Sequence, residues 1–197
     1  MSGPFVDLLF PVRGGLVPLD HGYLLFSALS HRLPDLHERP DIGIFNLRGT
    51  SADAHALHVG NGTLRLRCPA DAIARLLPLA GSTLVLAGQP LHLGAPRVHA
   101  LSTPSSLSAR LVTFKHALDS VTFQASVLKF LAELGCLGTP ALGRRRIVSI
   151  SGKKVVGFAL TVRELSPDSS LRLQTLGLGG RRHMGCGLFL PTTFQSS

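Results

Sequence analysis

The sequence predicts an α+β protein made of one six-element unit used twice, in the order strand, helix, strand, strand, helix, strand. Three observations carry this: the same element order is legible on both sides of a Ser/Pro-rich stretch, both helices of each copy have recognisable stops or caps, and the second copy contains a hairpin signal at Ser151-Gly152.

In the first copy Phe5–Val12 reads as a strand closed by Pro11 and the Gly14-Gly15 pair. Asp20 caps a helix to about Leu33, with Leu25, Ala28, Leu29 and Leu33 on its apolar stripe. Ile42–Leu47 and Thr63–Arg67 follow as strands, Pro69 opens a helix over Ala70–Leu77, and Thr83–Leu93 returns as strand. Residues 1–95 then form one domain and the Ser/Pro-rich residues 96–108 a linker. In residues 109–197 the order repeats. Ala109–Lys115 is a strand, and Asp119 or Ser120 caps a helix with Val121, Ala125, Leu128 and Ala132 on one face and Gly135 as its stop. Arg144–Ile150 and Lys153–Val162 form the hairpin, Ser166-Pro167 starts the last helix, Gly177 ends it, and Leu188–Leu190 closes the unit. Two tandem ferredoxin-like (βαββαβ, RRM-like) units result.

Composition narrows the function. The chain has 197 residues, 45% hydrophobic and 16% charged, which fits a folded domain pair and excludes a disordered chain. No apolar run is long enough to cross a bilayer, no signal peptide is visible, and the three cysteines fit neither a disulfide framework nor zinc spacing, so a cytoplasmic protein without membrane association is expected. Net charge is +9, and the distribution is lopsided: residues 1–109 hold eight basic and seven acidic side chains, residues 110–197 twelve and four. Sixteen of the twenty cations are Arg, the better fork for phosphate oxygens. A nucleic-acid partner follows from a basic half beside a neutral one.

Residues 177–187 contain five glycines together with Arg181, Arg182 and His183. No Gly-Lys-Ser/Thr follows, so this is not a Walker loop. The glycines follow a helix and precede the last strand, which excludes a dinucleotide fingerprint. Close backbone approach at Gly179 and Gly180, with the donors of Arg181, Arg182 and His183, suits phosphate oxygens. Arg144, Arg145 and Arg146 on one hairpin arm and Lys153 and Lys154 on the other put five cations near one end, which suits the phosphates of an RNA stem. Stacking aromatics of the RNP type are missing, so shape and phosphate contacts dominate.

Six segments together carry a family resemblance: Phe10-Pro11-Val12-Arg13-Gly14-Gly15, Asp20-His21-Gly22-Tyr23, Leu36-His37-Glu38, Gly143-Arg144-Arg145-Arg146, Gly152-Lys153-Lys154-Val155-Val156-Gly157-Phe158, and Gly179-Gly180-Arg181-Arg182-His183-Met184-Gly185-Cys186-Gly187. The chain resembles the repeat-associated (RAMP) superfamily, and within it the CRISPR repeat-processing endoribonucleases of the MYXAN subtype. That resemblance implies cleavage of the repeat in a CRISPR precursor transcript by the RNA's own 2′-OH, leaving a 2′,3′-cyclic phosphate and a 5′-OH. It implies no metal and no cofactor, and as partners the repeat RNA or its crRNA product and other Cas subunits of a Cascade-like effector complex. It places the catalytic histidine in or just after the first helix, where His21, His31 and His37 stand, and it pairs a helix tyrosine with a histidine at about the separation of Tyr23 and His37. His37 is favoured as general base or acid with Tyr23 placing or protonating an oxygen; His21, beside Asp20, and His31 are the alternatives. The competing readings are a non-catalytic RAMP-type RNA-binding subunit and, from another class, a nucleotide enzyme with a phosphate loop.

Overall fold

The computed structural model describes residues 3–192, so the extreme ends of both expected domains lie outside the described residues. The chain forms two compact units, Met1–Ala100 and Leu101–Ser197, and each is an antiparallel sheet with helices.

The first unit is organised by two 14-residue strands, β1 (Phe5–Pro18) and β4 (Ala56–Pro69), paired from Phe5↔Pro69 to Pro18↔Ala56. Between them lie α1 (Gly22–Arg32), a 3-10 turn Pro34–Glu38, and two short strands on the far side of β4, β2 (Gly43–Ile44) and β3 (Ser51–Ala52). A short helix α2 (Ile73–Leu76), flanked by 3-10 turns, leads to β5 (Thr83–Leu86), β6 (Gln89–Leu93) and β7 (Arg97–Ala100). The sheet runs β2-β4-β1-β6-β5, with β3 on β4 and β7 on β1.

Four expectations need correction here. Gly14-Gly15 does not close the first strand: β1 continues to Pro18, because Gly14 faces β6 where a Cβ would overlap the Leu91 side chain. At Gly14 the strands approach so closely that a side chain has no room. The helix starts at Gly22 with His21, and not Asp20, in the cap position. Thr83–Leu93 is two strands, because Ala87 and Gly88 have φ of 48° and 80° and turn the chain back as a hairpin. The stretch 96–108 is only partly a linker, since Arg97–Ala100 pairs with Val6–Leu9 and Leu107 already begins the next strand.

The second unit contains β8 (Leu107–Val112), α3 (Ser120–Glu133), β9 (Thr139–Ile150), β10 (Lys153–Arg163), α4 (Pro167–Leu176) and β11 (Phe189–Pro191), with sheet order β11-β8-β10-β9. This is the order of a ferredoxin-like βαββαβ unit. Asp119 caps α3 through the amides of Val121 and Thr122, and Ser166 caps α4 through Ser169. Ser151 and Gly152, φ 49° and 76°, make the hairpin turn. The stripe expected to bury α3 is the wrong one. Val121 and Leu128 are exposed, while Phe123, Val127 and Leu131 enter the core against Phe158, Leu160 and Val162. Both faces of α3 are apolar, and the bulkier Phe123 packs at a tilt against Phe114 and Phe158, ring centroids 4.9 and 4.7 Å apart.

The first unit also buries an ion pair. Asp7 accepts from Nε and Nη2 of Arg67 at 2.7 and 2.9 Å and from Arg65 at 2.9 Å, with both Arg groups over the Phe45 ring. The pair joins the two long strands at Asp7↔Arg67 in their register. Cys68, next in β4, has its thiol pushed up to about 11, first by burial and then by Asp7, so it is an inert core thiol.

Removing one member of a buried pair leaves an uncompensated charge. Arg67→Met is expected to cost about 3 kcal/mol in urea unfolding. Lys129→Met, which loses only the exposed 3.9 Å pair with Glu133, should change stability by less than about 0.5 kcal/mol. Equal effects would show that the Asp7 pair does not hold the sheet.

Candidate active site

Helix α1 turns Leu25, Phe26 and Leu29 into the first unit's core. Tyr23, Ser27, Ser30 and His31 then share a neighbouring stripe, because they stand at i, i+4, i+7 and i+8. The helix ends at Leu33, and Pro34 opens the 3-10 turn whose Leu36 is buried. That anchor swings His37 back to α1, where its ring meets Phe26 edge-on at 4.8 Å and 73°. Tyr23, Ser27, Ser30, His31 and His37, with Phe26 and Pro34, line an open pocket of about 370 Å³.

The polar groups of the pocket differ in how they are engaged. His31 Nδ1 lies 2.7 Å from the Ser27 carbonyl oxygen, which can only accept, so Nδ1 carries the proton. Ser30 donates back to the Phe26 carbonyl at 2.8 Å. Neither the ring nitrogens of His37 nor the Tyr23 hydroxyl has a hydrogen-bond partner among the described residues. A phosphate in this pocket meets two imidazoles and a phenol, a set able to move two protons and to donate to an oxygen.

His21 is not part of it. Its ring is 2% exposed; Nε2 accepts from the Leu47 amide at 2.9 Å, and Nδ1 therefore carries the proton donated to Pro18 O at 2.8 Å. Both ring nitrogens are committed to backbone, so the ring is a clamp, contrary to the expectation of catalysis at His21. His31, the weaker alternative on sequence, takes its place beside Tyr23 and His37. The helical spacing of Tyr23, Ser27 and His31 was the signal that could have found this grouping. Elsewhere, His58 lies 3.3 Å from Asp53 and His92 2.9 Å from Thr83, both on the surface. Among the described residues no group of three or more His, Cys, Asp or Glu could hold a metal ion.

In the second unit the two ends of the glycine-rich loop are buried, at Gly177, Leu178, Cys186 and Gly187. The amides of Leu178, Gly180 and Gly187 donate to Gly187 O, Thr113 O and Leu111 O, and those of Met184 and Cys186 to Arg181 O. These amides are committed to the fold. Gly177, Gly179 and Gly187 have φ of 69°, 76° and 67°, and a Cβ on any of them would strike a carbonyl oxygen, that of Thr113 in the case of Gly179. Gly180 is exposed, with nothing within 4 Å of such a Cβ. Arg182 turns inward and donates from Nη1 to Leu176 O at the end of α4, where a cation also meets the helix dipole. It serves the fold. Arg181 is exposed, with one contact to Thr113 at 3.2 Å, and His183 is half-buried in the turn Arg182–Met184.

The hairpin cations are all exposed but do not cluster at one end. Arg146 stands opposite Gly157 and Arg145 opposite Phe158, whereas Lys153 and Lys154 sit at the turn, about 13 Å along the strand at the usual rise. Strand alternation sends Arg145 and Arg146 to opposite faces, and a register shift between Phe158 and Leu160 falls beside Arg144. Nucleic acid would meet a spread of cations on both faces.

Comparison with known proteins then places the chain. The Cas6 family profile, described as Cas6 Crispr, matches residues 6–194. A CRISPR-associated endonuclease Cas6 of Myxococcus xanthus (strain DK1622) is 62% identical over 187 residues, covering 95% of this chain and 81% of that one. Among solved structures, an RAMP protein binding different RNA substrates aligns with TM-score 0.67 at 9% identity over 93% of this chain and 98% of that one. Thermus thermophilus Cse3 bound to an RNA representing a pre-cleavage complex aligns with TM-score 0.53 at 12% identity over 93% and 98%. At such identities the structures speak for the fold.

The glycines separate packing from ligand approach. Gly179→Ala and Gly187→Ala should each lose about 1–3 kcal/mol in urea unfolding, and Gly180→Ala less than about 0.5 kcal/mol. A destabilised Gly180→Ala beside a stable Gly187→Ala would contradict the loop's packing.

Proposed function

The chain belongs to the Cas6 family, and on that premise we propose that it is the endoribonuclease that cuts the repeat of a CRISPR precursor transcript to make guide crRNA. The observation that carries the proposal to a site is the pocket shared by Tyr23 and His37. The 2′-OH of the RNA attacks the adjacent phosphorus, the P–O5′ bond breaks, and a 2′,3′-cyclic phosphate and a 5′-OH result. Such a step needs a proton removed from the 2′-OH, one delivered to the 5′ oxygen, and donors for the phosphorane oxygens. His37 transfers one of these protons, and the Tyr23 hydroxyl donates to an oxygen on phosphorus. No metal takes part.

RNA is held through phosphates by exposed cations of the second unit: Arg144, Arg145, Arg146, Lys153, Lys154 and Arg181. Arg182 supports that surface from within. The product crRNA stays bound and is passed to other Cas subunits in the cytoplasm. Among the described residues no helix is long and apolar enough to cross a membrane.

Repeat RNA incubated with the purified protein in EDTA should be cut once, ending in a cyclic phosphate. His37→Ala should slow cutting by about 10²–10⁴-fold with RNA binding retained. Tight binding without cutting by the wild type would contradict the proposal and favour a non-catalytic RNA-binding subunit.

A further inference from the structure

One imidazole cannot serve both proton transfers in the same moment, because the attacking 2′ oxygen and the departing 5′ oxygen lie on opposite sides of phosphorus in an in-line displacement. The pocket holds two imidazoles on two different elements, His31 on the last turn of α1 and His37 on the 3-10 turn. Their engagement is unequal. The Ser27 carbonyl holds His31 Nδ1–H at 2.7 Å, which fixes the tautomer and leaves Nε2 as the lone-pair nitrogen of the neutral ring. A base needs this arrangement: one defined nitrogen to receive a proton, and an acceptor behind the ring that stays bonded as the imidazolium forms. His37 has no such partner among the described residues and is held only by the edge contact with Phe26. Nothing fixes its proton to one nitrogen, and as imidazolium it can donate from either.

Resting on the repeat-cleavage reading above, we propose that His31 is a second catalytic residue and acts as the general base while His37 acts as the general acid. His31 Nε2 takes the proton of the 2′-OH as the O2′–P bond forms. His37 gives its proton to the 5′ oxygen as the P–O5′ bond breaks. His31 leaves the step as imidazolium and His37 as neutral imidazole, and solvent exchange restores both. Ser27 is a positioning residue through its backbone carbonyl. The volume of the pocket, about 370 Å³, lies within the range of ligand-binding cavities, roughly 300–1,000 Å³.

The test uses the full chain and two repeat RNAs, one normal and one with sulfur in place of the bridging 5′ oxygen at the cut. A thiolate leaves without protonation, so the sulfur RNA removes the need for the acid and keeps the need for the base. On normal RNA both His31→Ala and His37→Ala should cut at least about a hundredfold slower than wild type with binding retained. On sulfur RNA His37→Ala should recover to within about tenfold of wild type and His31→Ala should not. His31 is exposed, so His31→Ala should keep the wild-type thermal unfolding. Near-wild-type cutting of normal RNA by His31→Ala would overturn the proposal, as would sulfur rescue of His31→Ala in place of His37→Ala. A wild type that cuts neither RNA would overturn the repeat-cleavage reading itself.

Discussion

A buried imidazole sets the geometry of the candidate site. His21 stands where β1 ends and α1 begins, and its ring bonds the Pro18 carbonyl on one side and the Leu47 amide on the other. This clamp ties the helix start to the sheet and to the segment after β2. Everything in the pocket is measured from that point along one helix: Tyr23 two residues on, Ser27 and His31 at successive turns, and His37 folded back by the 3-10 turn. An unsatisfied Leu47 amide and an empty ring site would be left by any smaller side chain, and both are costly in a core.

The two units divide the chemistry. In the first, Asp7 is locked to Arg67 and Arg65, and the pocket offers imidazole and phenol. In the second, the excess of basic residues is displayed on the β9–β10 hairpin and at Arg181, while Arg182 and Arg172 turn to the C-terminal carbonyls of α4 and α3. Several of the glycines that looked like ligand contacts are needed because the loop lies against β8, as the Gly180–Thr113 and Gly187–Leu111 bonds show. A cationic surface and a pocket of imidazole and phenol are the two parts that the proposed cleavage requires.

Much of this was legible in the sequence because the signals were local. Asp119 and Ser166 cap helices through amides two or three residues away, and Ser151-Gly152 turns a hairpin by its own backbone preference. Tyr23 and His37 line one pocket. The errors arose where a distant partner decides. His21 is buried because Leu47, twenty-six residues later, donates to it, and nothing near His21 announces that contact. Gly14 reads as a stop until Leu91 is seen packed over it. Helix α3 carries apolar residues on both faces, so periodicity alone could not choose between Val121–Leu128 and Phe123–Val127–Leu131. The size of Phe123 and its ring partners made the choice.

The most direct measurement is a structure of the protein with repeat RNA carrying a 2′-deoxynucleotide at the cut, which binds but cannot react. The account predicts the uncut phosphate in the α1 pocket, with His37 and Tyr23 within about 2.6–3.2 Å of its oxygens. A phosphate seated against Arg181 and Gly180, with no RNA beside Tyr23, His31 and His37, would contradict it.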